Sequence, residues 1–323
     1  MKKTNRGNTS APDTLLIFER PELYFFPALP DIVCPAFGVP QKSLRYLVYK
    51  TLCLLHLPGT HLFWGSWTKR LAGVKRVVIF DYGYQRGMER YIRRKNPDCA
   101  VYLFFWNLIT PVRVNHRLFS DKRAIYSTDP GDCARYRFHY NSIFYTRQYR
   151  RDWSGKKNRL FFIGHDKGRA GALLALKQKL TRAGISCDIR IVSSSRDASY
   201  IRALGELYSP RPLSYDEYLQ QLEECDILLD FNQKGQRALT MRVMEAIFLS
   251  KKLITNNAAI QAFDFYSEDN ILLLPDDPAG LTQDMLRAFL EKPFVPYPQD
   301  VIDYYDFHAW KERFVPGGRQ PPH

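Results

Sequence analysis

Two loops in the second half of the chain contain residue types that can hold a phosphate group. The first has the sequence GHDKGR, residues 164–169, between an apolar run and a segment with helical spacing. Gly164 and Gly168 allow close backbone approach, and Lys167 and Arg169 place cations beside the expected helix N-terminus. The glycine spacing matches neither a Walker A loop nor a dinucleotide fingerprint. The loop predicts a phosphate site without naming the ligand.

The second loop, KGQRALT at residues 234–240, leads into a helix that is apolar on nearly every side except at Arg242 and Glu245. Such a helix is largely buried, and an unpaired buried carboxylate costs several kcal/mol. In one interpretation Glu245 forms a structural ion pair with Arg242 or Arg237. In the other it accepts both hydroxyls of a ribose, while Thr240, the helix N-terminus and nearby arginines hold a diphosphate. The residues alone leave both open.

The elements around these loops alternate between short apolar runs and helical segments. This rhythm predicts parallel sheets covered by helices. A polar break near residues 152–158 divides the chain into two expected α/β domains, residues 1–152 and 153–323. The last segment, residues 304–314, predicts an amphipathic helix with Trp310 inward that crosses back onto the first domain. Predicted strands lie at 75–81, 100–106, 159–164, 187–192, 226–231 and 252–256, and predicted helices at 87–95, 168–184, 214–222 and 240–250.

The excess positive charge lies in the first half of the chain. Of the 47 Lys and Arg and 33 Asp and Glu, residues 1–150 hold 24 basic and 10 acidic side chains, and residues 151–323 hold 23 of each. This asymmetry suggests a phosphorylated acceptor, an anionic membrane surface or a nucleic acid as partner, with a merely solvated basic face as the alternative. The aromatic residues at 102–106 superficially suit base stacking but are better explained as a buried strand.

Residues 43–56 predict a helix with Leu44, Leu47 and Val48 on one stripe. Core packing is the commoner use of such a face, and docking on a membrane surface is the alternative. The apolar stretch 44–67 is interrupted by charged residues, and the N-terminal apolar run ends after four residues, so neither a membrane span nor a signal peptide is expected. Six cysteines without a C-x-x-C pair predict reduced thiols in a cytosolic protein.

Two motifs resemble those of a known enzyme family. FFIGHDKGR at 161–169 and ALTMRVMEA at 238–246 are similar to F-I-G-x-D-K-G-R and G-L-T-x-R-x-x-E-A, which are typical of bacterial glycosyltransferases of lipopolysaccharide and capsule assembly. The resemblance covers roughly residues 75–315. It implies the GT-B fold, in which two Rossmann-like domains face each other across a cleft. It also implies that a nucleotide-sugar is bound by the second domain and the acceptor mainly by the first.

The resemblance also implies roles for individual residues. Glu245 corresponds to the glutamate that binds ribose, Thr240 with Leu239 to the turn that binds the diphosphate, and Lys167 with Arg169 to the cations that neutralise the leaving diphosphate. Stabilisation of that charge needs no metal in GT-B enzymes, so neither a metal nor a cofactor is expected. The full set of expected donor-binding residues is Gly164, Asp166, Lys167, Arg169, Gln236, Arg237, Leu239, Thr240, Arg242 and Glu245.

The stereochemistry of transfer stays open. Retaining members often have a Glu-any seven-Glu motif, and Arg237 stands eight positions before Glu245. An inverting enzyme needs a general base, for which Asp81 at the end of a first-domain strand is the best-placed carboxylate, with His116 and His165 as weaker candidates. The expected catalytic residues are therefore Asp81 and Glu245. Asp230, which ends a strand, could orient Arg237, although a structural role is the commoner one.

These observations predict a cytoplasmic glycosyltransferase that acts on a lipopolysaccharide or other surface-polysaccharide acceptor, anionic or lipid-linked. Contact of the basic first half with the inner membrane is left open. The enzymatic alternative is a transferase of nucleotide-activated glycerol phosphate. A basic nucleic-acid-binding protein and an inactive nucleotide-sugar-binding relative are the alternatives from other classes.

Overall fold

The chain forms two compact units. The computed structural model describes residues 12–21, 24–40, 43–55, 57–109, 115–193, 195–233, 237–277 and 280–315. The first unit contains the described residues up to Asn141 and those from Lys311 onward, and the second is Ser142–Trp310. The division before Ser142 comes earlier in the chain than the boundary expected at residue 152.

The first unit contains a six-stranded sheet in which every pair of neighbouring strands is parallel. Across the sheet the strands are β2 (Val33–Pro35), β1 (Thr14–Phe18), β3 (Arg76–Phe80), β4 (Ala100–Phe105), β5 (Ile125–Ser127) and β6 (His139–Tyr140). The helices that lie wholly in this unit are α1 (Leu44–Leu54), α2 (Met88–Lys95) and α3 (Pro130–Tyr136). The predicted succession of strand, helix and strand is confirmed by β3, α2 and β4.

The second unit has its own parallel sheet of six strands. Across the sheet these are β12 (Ile271–Leu273), β11 (Lys252–Thr255), β10 (Ile227–Asp230), β7 (Arg159–His165), β8 (Ser186–Val192) and β9 (Tyr208–Ser209). Its helices are α4 (Ala170–Arg182), α5 (Ala198–Leu204), α6 (Tyr215–Glu224), α7 (Met241–Phe248), α8 (Gln283–Glu291) and α9 (Gln299–Tyr305), and α10 (Phe307–Glu312) continues into the first unit. The chain builds outward from β7 to β9, then returns to β10 and builds outward to β12. This is the strand order of the Rossmann fold, and the two α/β units confirm the predicted fold class.

Local sequence accounts for the elements of the second unit. Every residue of β10 and β11 is buried, as expected for parallel strands covered on both faces. Helix α4 buries Leu173, Leu176 and Leu180 on one stripe. Helix α6 begins with a capping box, in which the Ser214 hydroxyl accepts a hydrogen bond from the Glu217 backbone and the Glu217 carboxylate accepts one from the Ser214 backbone.

The spacing of apolar residues in helix α1 favoured packing in the core, but the helix does not pack there. Ser43 caps it and accepts a hydrogen bond from the Tyr46 backbone N–H. None of its residues is buried, and Leu44, Leu47 and Leu54 are 77%, 61% and 79% exposed. The reason for the difference is that periodicity identifies an apolar face but not what covers it.

The predicted single helix at 304–314 is broken at Asp306, where α9 ends and α10 begins. The buried Asp306 carboxylate accepts hydrogen bonds from the backbone N–H groups of Arg147 and His308, so its side chain competes with continued helical pairing. The inward position of Trp310 is confirmed. It is fully buried, stacks on Phe144 with ring centroids 3.9 Å apart, and donates its indole N–H to the Ser142 carbonyl.

All six cysteines are free thiols. Among the described helices, none is both long enough and apolar enough to cross a bilayer.

Candidate functional site

The site lies at the carboxyl ends of β7 and β10, which are neighbours in the second sheet. Because the chain builds outward in opposite directions from this pair, the two strands form the switch point of the sheet, which is the usual ligand position in open α/β sheets. Both loops selected from the sequence lie here. One joins β7 to α4, and the other joins β10 to α7.

The loop after β7 makes a tight turn that Asp166 holds in place. Lys167 and Gly168 adopt left-handed backbone conformations, with φ of 50° and 77°. One Asp166 carboxylate oxygen accepts hydrogen bonds from the backbone N–H groups of Arg169 and Ala170, at 3.0 and 2.8 Å. The other accepts one from the Tyr200 hydroxyl at 2.8 Å. Asp166 therefore occupies the N-terminus of α4, where the sequence suggested a phosphate.

Two guanidinium groups converge above the end of β7. Those of Arg169 and Arg242 lie 5.0 and 4.6 Å from the centre of the Phe162 ring, within cation–π range. Arg169 donates to the backbone carbonyls of His165 and Phe231, and Arg242 donates to that of Ile163.

Gly164 makes this convergence possible. A Cβ atom at that position would lie 2.9 Å from an Arg169 terminal nitrogen and 3.3 Å from an Arg242 terminal nitrogen. Any larger residue would therefore push the two arginines apart. The glycine of the sequence motif is explained by the space that these side chains need.

Among the described residues, Lys167, Arg169 and Arg242 form no direct ion pair with a carboxylate, and the buried Nε of Arg242 has no hydrogen-bond partner. The buried Asp230 carboxylate attracts both arginines at longer range, and Asp166 attracts Arg169. Desolvation and the neighbouring Arg242 lower the pKa of Arg169 to about 10, and desolvation with both arginines lowers the pKa of Lys167. Like charges held this close favour a bound anion. We call Lys167, Arg169 and Arg242 the cation cluster.

The start of α7 adds to this positive field. Thr240 precedes the helix in an extended conformation, but its hydroxyl donates to an Asp230 oxygen at 2.8 Å instead of capping the helix. The first turn of α7 has no acidic residue, and no side chain caps it. With α4 capped by Asp166, α7 presents the positive end of its helix dipole without a side-chain cap.

Asp230 and three asparagines fix the loop before α7. The fully buried Asp230 carboxylate accepts hydrogen bonds from Thr240, Thr255 and Asn232, and burial raises its pKa. It makes no hydrogen bond to Arg237, the orienting role considered from the sequence. Asn232 and Asn256 pair reciprocally across β10 and β11, at 2.7 and 3.1 Å.

Asn257 donates to the carbonyl of Arg237 and so ties the loop to the sheet. Sequence reasoning missed these asparagines, although their position directly after parallel strands was an available signal. Of the other predicted residues in this loop, Leu239 is buried, the Arg237 side chain is exposed, and Gln236 lies outside the described residues.

Glu245 is buried among tyrosines. Its carboxylate is 3% exposed, accepts a hydrogen bond from the Tyr218 hydroxyl at 2.6 Å, and has the Tyr215 hydroxyl as a second partner. Tyr215 in turn shares a hydrogen bond with Tyr145. Burial raises the pKa of Glu245 to about 7, against the opposing effects of Tyr218 and Arg242. The ion pair with an arginine, one of the two interpretations, is not formed.

The candidate bases belong to both units. Asp81 follows β3 in the first unit, is 7% exposed, and accepts hydrogen bonds from the backbone and side-chain N–H groups of Asn107 after β4. His165 is exposed at the end of β7, with Nδ1 3.2 Å from the Val192 carbonyl oxygen. The side chain of His116 lies outside the described residues. Among described residues, no group of three or more His, Cys, Asp or Glu side chains is placed to hold a metal.

No family model matches the sequence, and no curated protein matches it. Solved structures with a similar arrangement include sucrose-phosphate synthase from Thermosynechococcus elongatus, at 11% identity and a TM-score of 0.48, covering 86% of this chain and 80% of that one. They also include spinosyn rhamnosyltransferase SpnG, at 12% identity and a TM-score of 0.35, covering 80% and 76%. A GtfA/B complex bound to UDP and GlcNAc matches at 14% identity and a TM-score of 0.27, covering 76% and 55%. At these identities and scores the likeness assigns no activity to this chain.

Proposed function

We propose that this protein is a glycosyltransferase that uses a nucleotide-diphosphate sugar as donor. The observation that carries the proposal is the cation cluster, which forms no direct ion pair with a carboxylate among the described residues and lies at the switch point of a Rossmann-type sheet. A diphosphate supplies the missing negative charge, and its oxygens match the forked donors of Arg169 and Arg242. The uncapped start of α7 adds backbone dipoles of the same sign.

The same groups would promote the reaction. As the bond between sugar and diphosphate breaks, negative charge grows on the leaving oxygen, and preorganised cations stabilise it more than they stabilise the intact donor. Under this proposal no metal is required, because Lys167, Arg169 and Arg242 supply the positive charge. Activity that persists in EDTA supports this part of the proposal, and loss of activity that Mg²⁺ restores contradicts it.

Glu245 is the proposed ribose-binding residue, as the sequence resemblance implies. In the structure its carboxylate accepts the hydroxyl proton of Tyr218, and ribose hydroxyls are donors of the same kind. Binding would therefore exchange one tyrosine hydroxyl for the sugar. If so, Glu245→Gln weakens nucleotide-sugar binding while Tyr218→Phe does not. If both variants bind equally well, Glu245 is a structural acceptor only.

The proposed acceptor is a lipopolysaccharide or another surface polysaccharide, phosphorylated or lipid-linked, bound by the basic first unit at the cytoplasmic face of the inner membrane. The charge surplus of residues 1–150 supports an anionic acceptor. Asp81 is the proposed general base if the enzyme inverts. Asp81→Asn should then lower the turnover number far more than the affinity for the donor.

The aromatic residues of β4 do not support the nucleic-acid alternative. Tyr102, Phe104 and Phe105 are buried in β4, so their rings are not available for stacking on bases. Transfer of glycerol phosphate from a nucleotide stays the competing enzymatic function, because the cation cluster would also hold that donor.

The test is a product assay that follows a binding screen. UDP-, GDP-, CDP- and dTDP-sugars are screened for thermal stabilisation, and the best donor is incubated with lipopolysaccharide and lipid-linked acceptors. A product heavier by a sugar residue supports the proposal, and an increment of phosphoglycerol from a CDP-glycerol control supports the competing function. Glu245→Ala should abolish turnover with the fold retained. The proposal is contradicted if no donor stabilises the protein and no donor is turned over.

A further inference from the structure

Helix α1 presents an exposed, mainly apolar face with Thr51 at its centre. At 3.6 residues per turn, Leu44, Leu47, Val48, Leu54 and the following Leu55 fall within about 120° of the helix circumference. All five are exposed. The opposite face is half-buried, with Tyr49 packed on Phe37 and Phe63. The helix is thus anchored on one side and open on the other.

The open face is the main exposed apolar patch among the described residues. Seven of the twelve large hydrophobic residues that are exposed there fall between positions 44 and 62, and Leu57 and Leu62 extend the patch beyond the helix. Single exposed leucines are common, but a cluster of this kind marks an interaction surface.

The charged residues on helix α1 itself have one sign. Arg45 and Lys50 are exposed and lie on the two flanks of the apolar face, about 100° to either side of its centre. Between Asp31 and Asp81 the sequence contains seven basic residues and no acidic one. The surface that meets this patch is therefore negatively charged around an apolar interior, which is the chemistry of an anionic bilayer.

Helix α1 has eleven residues, too few to cross a bilayer, which takes about 20. A helix with an exposed apolar face and cationic flanks, anchored through aromatic contacts on its opposite side, is suited to lie in the plane of the lipid headgroups. We propose that α1 docks this protein on an anionic membrane surface, with the leucines among the acyl chains and Arg45 and Lys50 at the phosphates. The proposal builds on the membrane location proposed for the acceptor and names the surface responsible.

Vesicle binding by the full-length protein tests this proposal without any nucleotide or acceptor. Sedimentation with vesicles of phosphatidylcholine plus phosphatidylglycerol is compared with vesicles of phosphatidylcholine alone. We expect binding to the anionic vesicles that falls as salt rises. The double variant Leu47→Gln, Leu54→Gln should lower the partition coefficient by at least about tenfold, because two leucine side chains no longer enter the apolar layer. Arg45→Gln with Lys50→Gln should reduce the preference for anionic lipid.

Met285→Gln with Val295→Gln is the matched control, since both side chains are exposed apolar groups of the second unit. It should bind vesicles like the wild type. All these positions are exposed, so the variants should keep the fold, which circular dichroism checks. Equal binding by the leucine variant and the wild type would overturn the proposal. A second result would also overturn it: the protein does not bind vesicles but forms a concentration-dependent dimer that the leucine variant abolishes. A second copy of the chain would then cover the apolar face. Neither outcome bears on donor binding, because thermal stabilisation by nucleotide-sugars is measured without any membrane or acceptor.

Discussion

Protonation of Glu245 should make the stability of this protein depend on pH in a way that one substitution removes. The carboxyl group has an ordinary pKa of 4.5, and burial raises it to about 7 in the folded state. Between these two values the folded state binds more protons than the unfolded state. The contribution to stability is therefore fully present below pH 4.5 and is lost as pH rises through 7.

The size of the effect follows from the shift. At about 1.4 kcal/mol per pKa unit, a rise from 4.5 to about 7 corresponds to about 3 kcal/mol of unfolding free energy. Glu245→Gln keeps an acceptor for the Tyr218 hydroxyl but cannot ionise. The variant should thus be more stable than the wild type at pH 8 by up to that amount, and the difference should shrink towards pH 5.

The assay is guanidinium unfolding at several pH values between 5 and 8.5, with the wild type and the variant compared at each. Taking the difference between the two proteins cancels the other titrating groups. Glu291→Gln, at an exposed position on α8, is the control and should show no pH-dependent difference. Parallel pH profiles for wild type and Glu245→Gln would refute the reasoning, because Glu245 would then titrate alike in both states.

Three further substitutions test the second unit. Gly164→Ala should weaken nucleotide-sugar binding by about tenfold with the fold intact, because the added Cβ displaces the side chains of Arg169 and Arg242. Thermal-shift titration measures the affinity. An unchanged affinity would show that Gly164 is not needed for donor binding. Asp226→Asn should lower the unfolding free energy by about 2 kcal/mol, since the buried carboxylate accepts three successive backbone N–H groups at 2.7 to 3.0 Å; a neutral result in denaturant unfolding would contradict that account. Trp310→Ala should cost about 3 to 5 kcal/mol in the same measurement, and a loss below about 1 kcal/mol would show that its packing contributes little.

The sequence was sufficient for those parts of the structure that local periodicity determines. The apolar character of residues 241–249 predicts that α7 and its Glu245 are buried, and both are. Alternation of strands and helices predicts two parallel sheets, because a crossover helix joins parallel strands with little freedom in its path. The loops after β7 and β10 were selected as ligand loops, and the strand order makes those two strands neighbours.

Hydrogen-bond partners that are distant in the sequence could not be predicted. The hydroxyl groups on Glu245 come from Tyr215 and Tyr218, on a helix that no local pattern connects to α7. Arg242 was considered as a partner of Glu245, but its side chain instead donates a hydrogen bond to the Ile163 carbonyl on β7. The exposure of the apolar face of α1 could not be predicted for the same reason, because a pattern of leucines does not reveal whether another part of the chain packs on it.

Binding of inorganic pyrophosphate, measured by isothermal titration calorimetry, tests the proposed diphosphate site most directly, because it needs no knowledge of the nucleotide base or the sugar. Arg242→Gln removes one cation of the cluster, and Arg190→Gln is the control, as Arg190 lies on β8 of the same unit and pairs with Asp188 at 2.6 Å. We predict that the wild type and Arg190→Gln bind pyrophosphate alike and that Arg242→Gln binds it at least about tenfold more weakly. No pyrophosphate binding by the wild type, or equal binding by Arg242→Gln, would contradict the account.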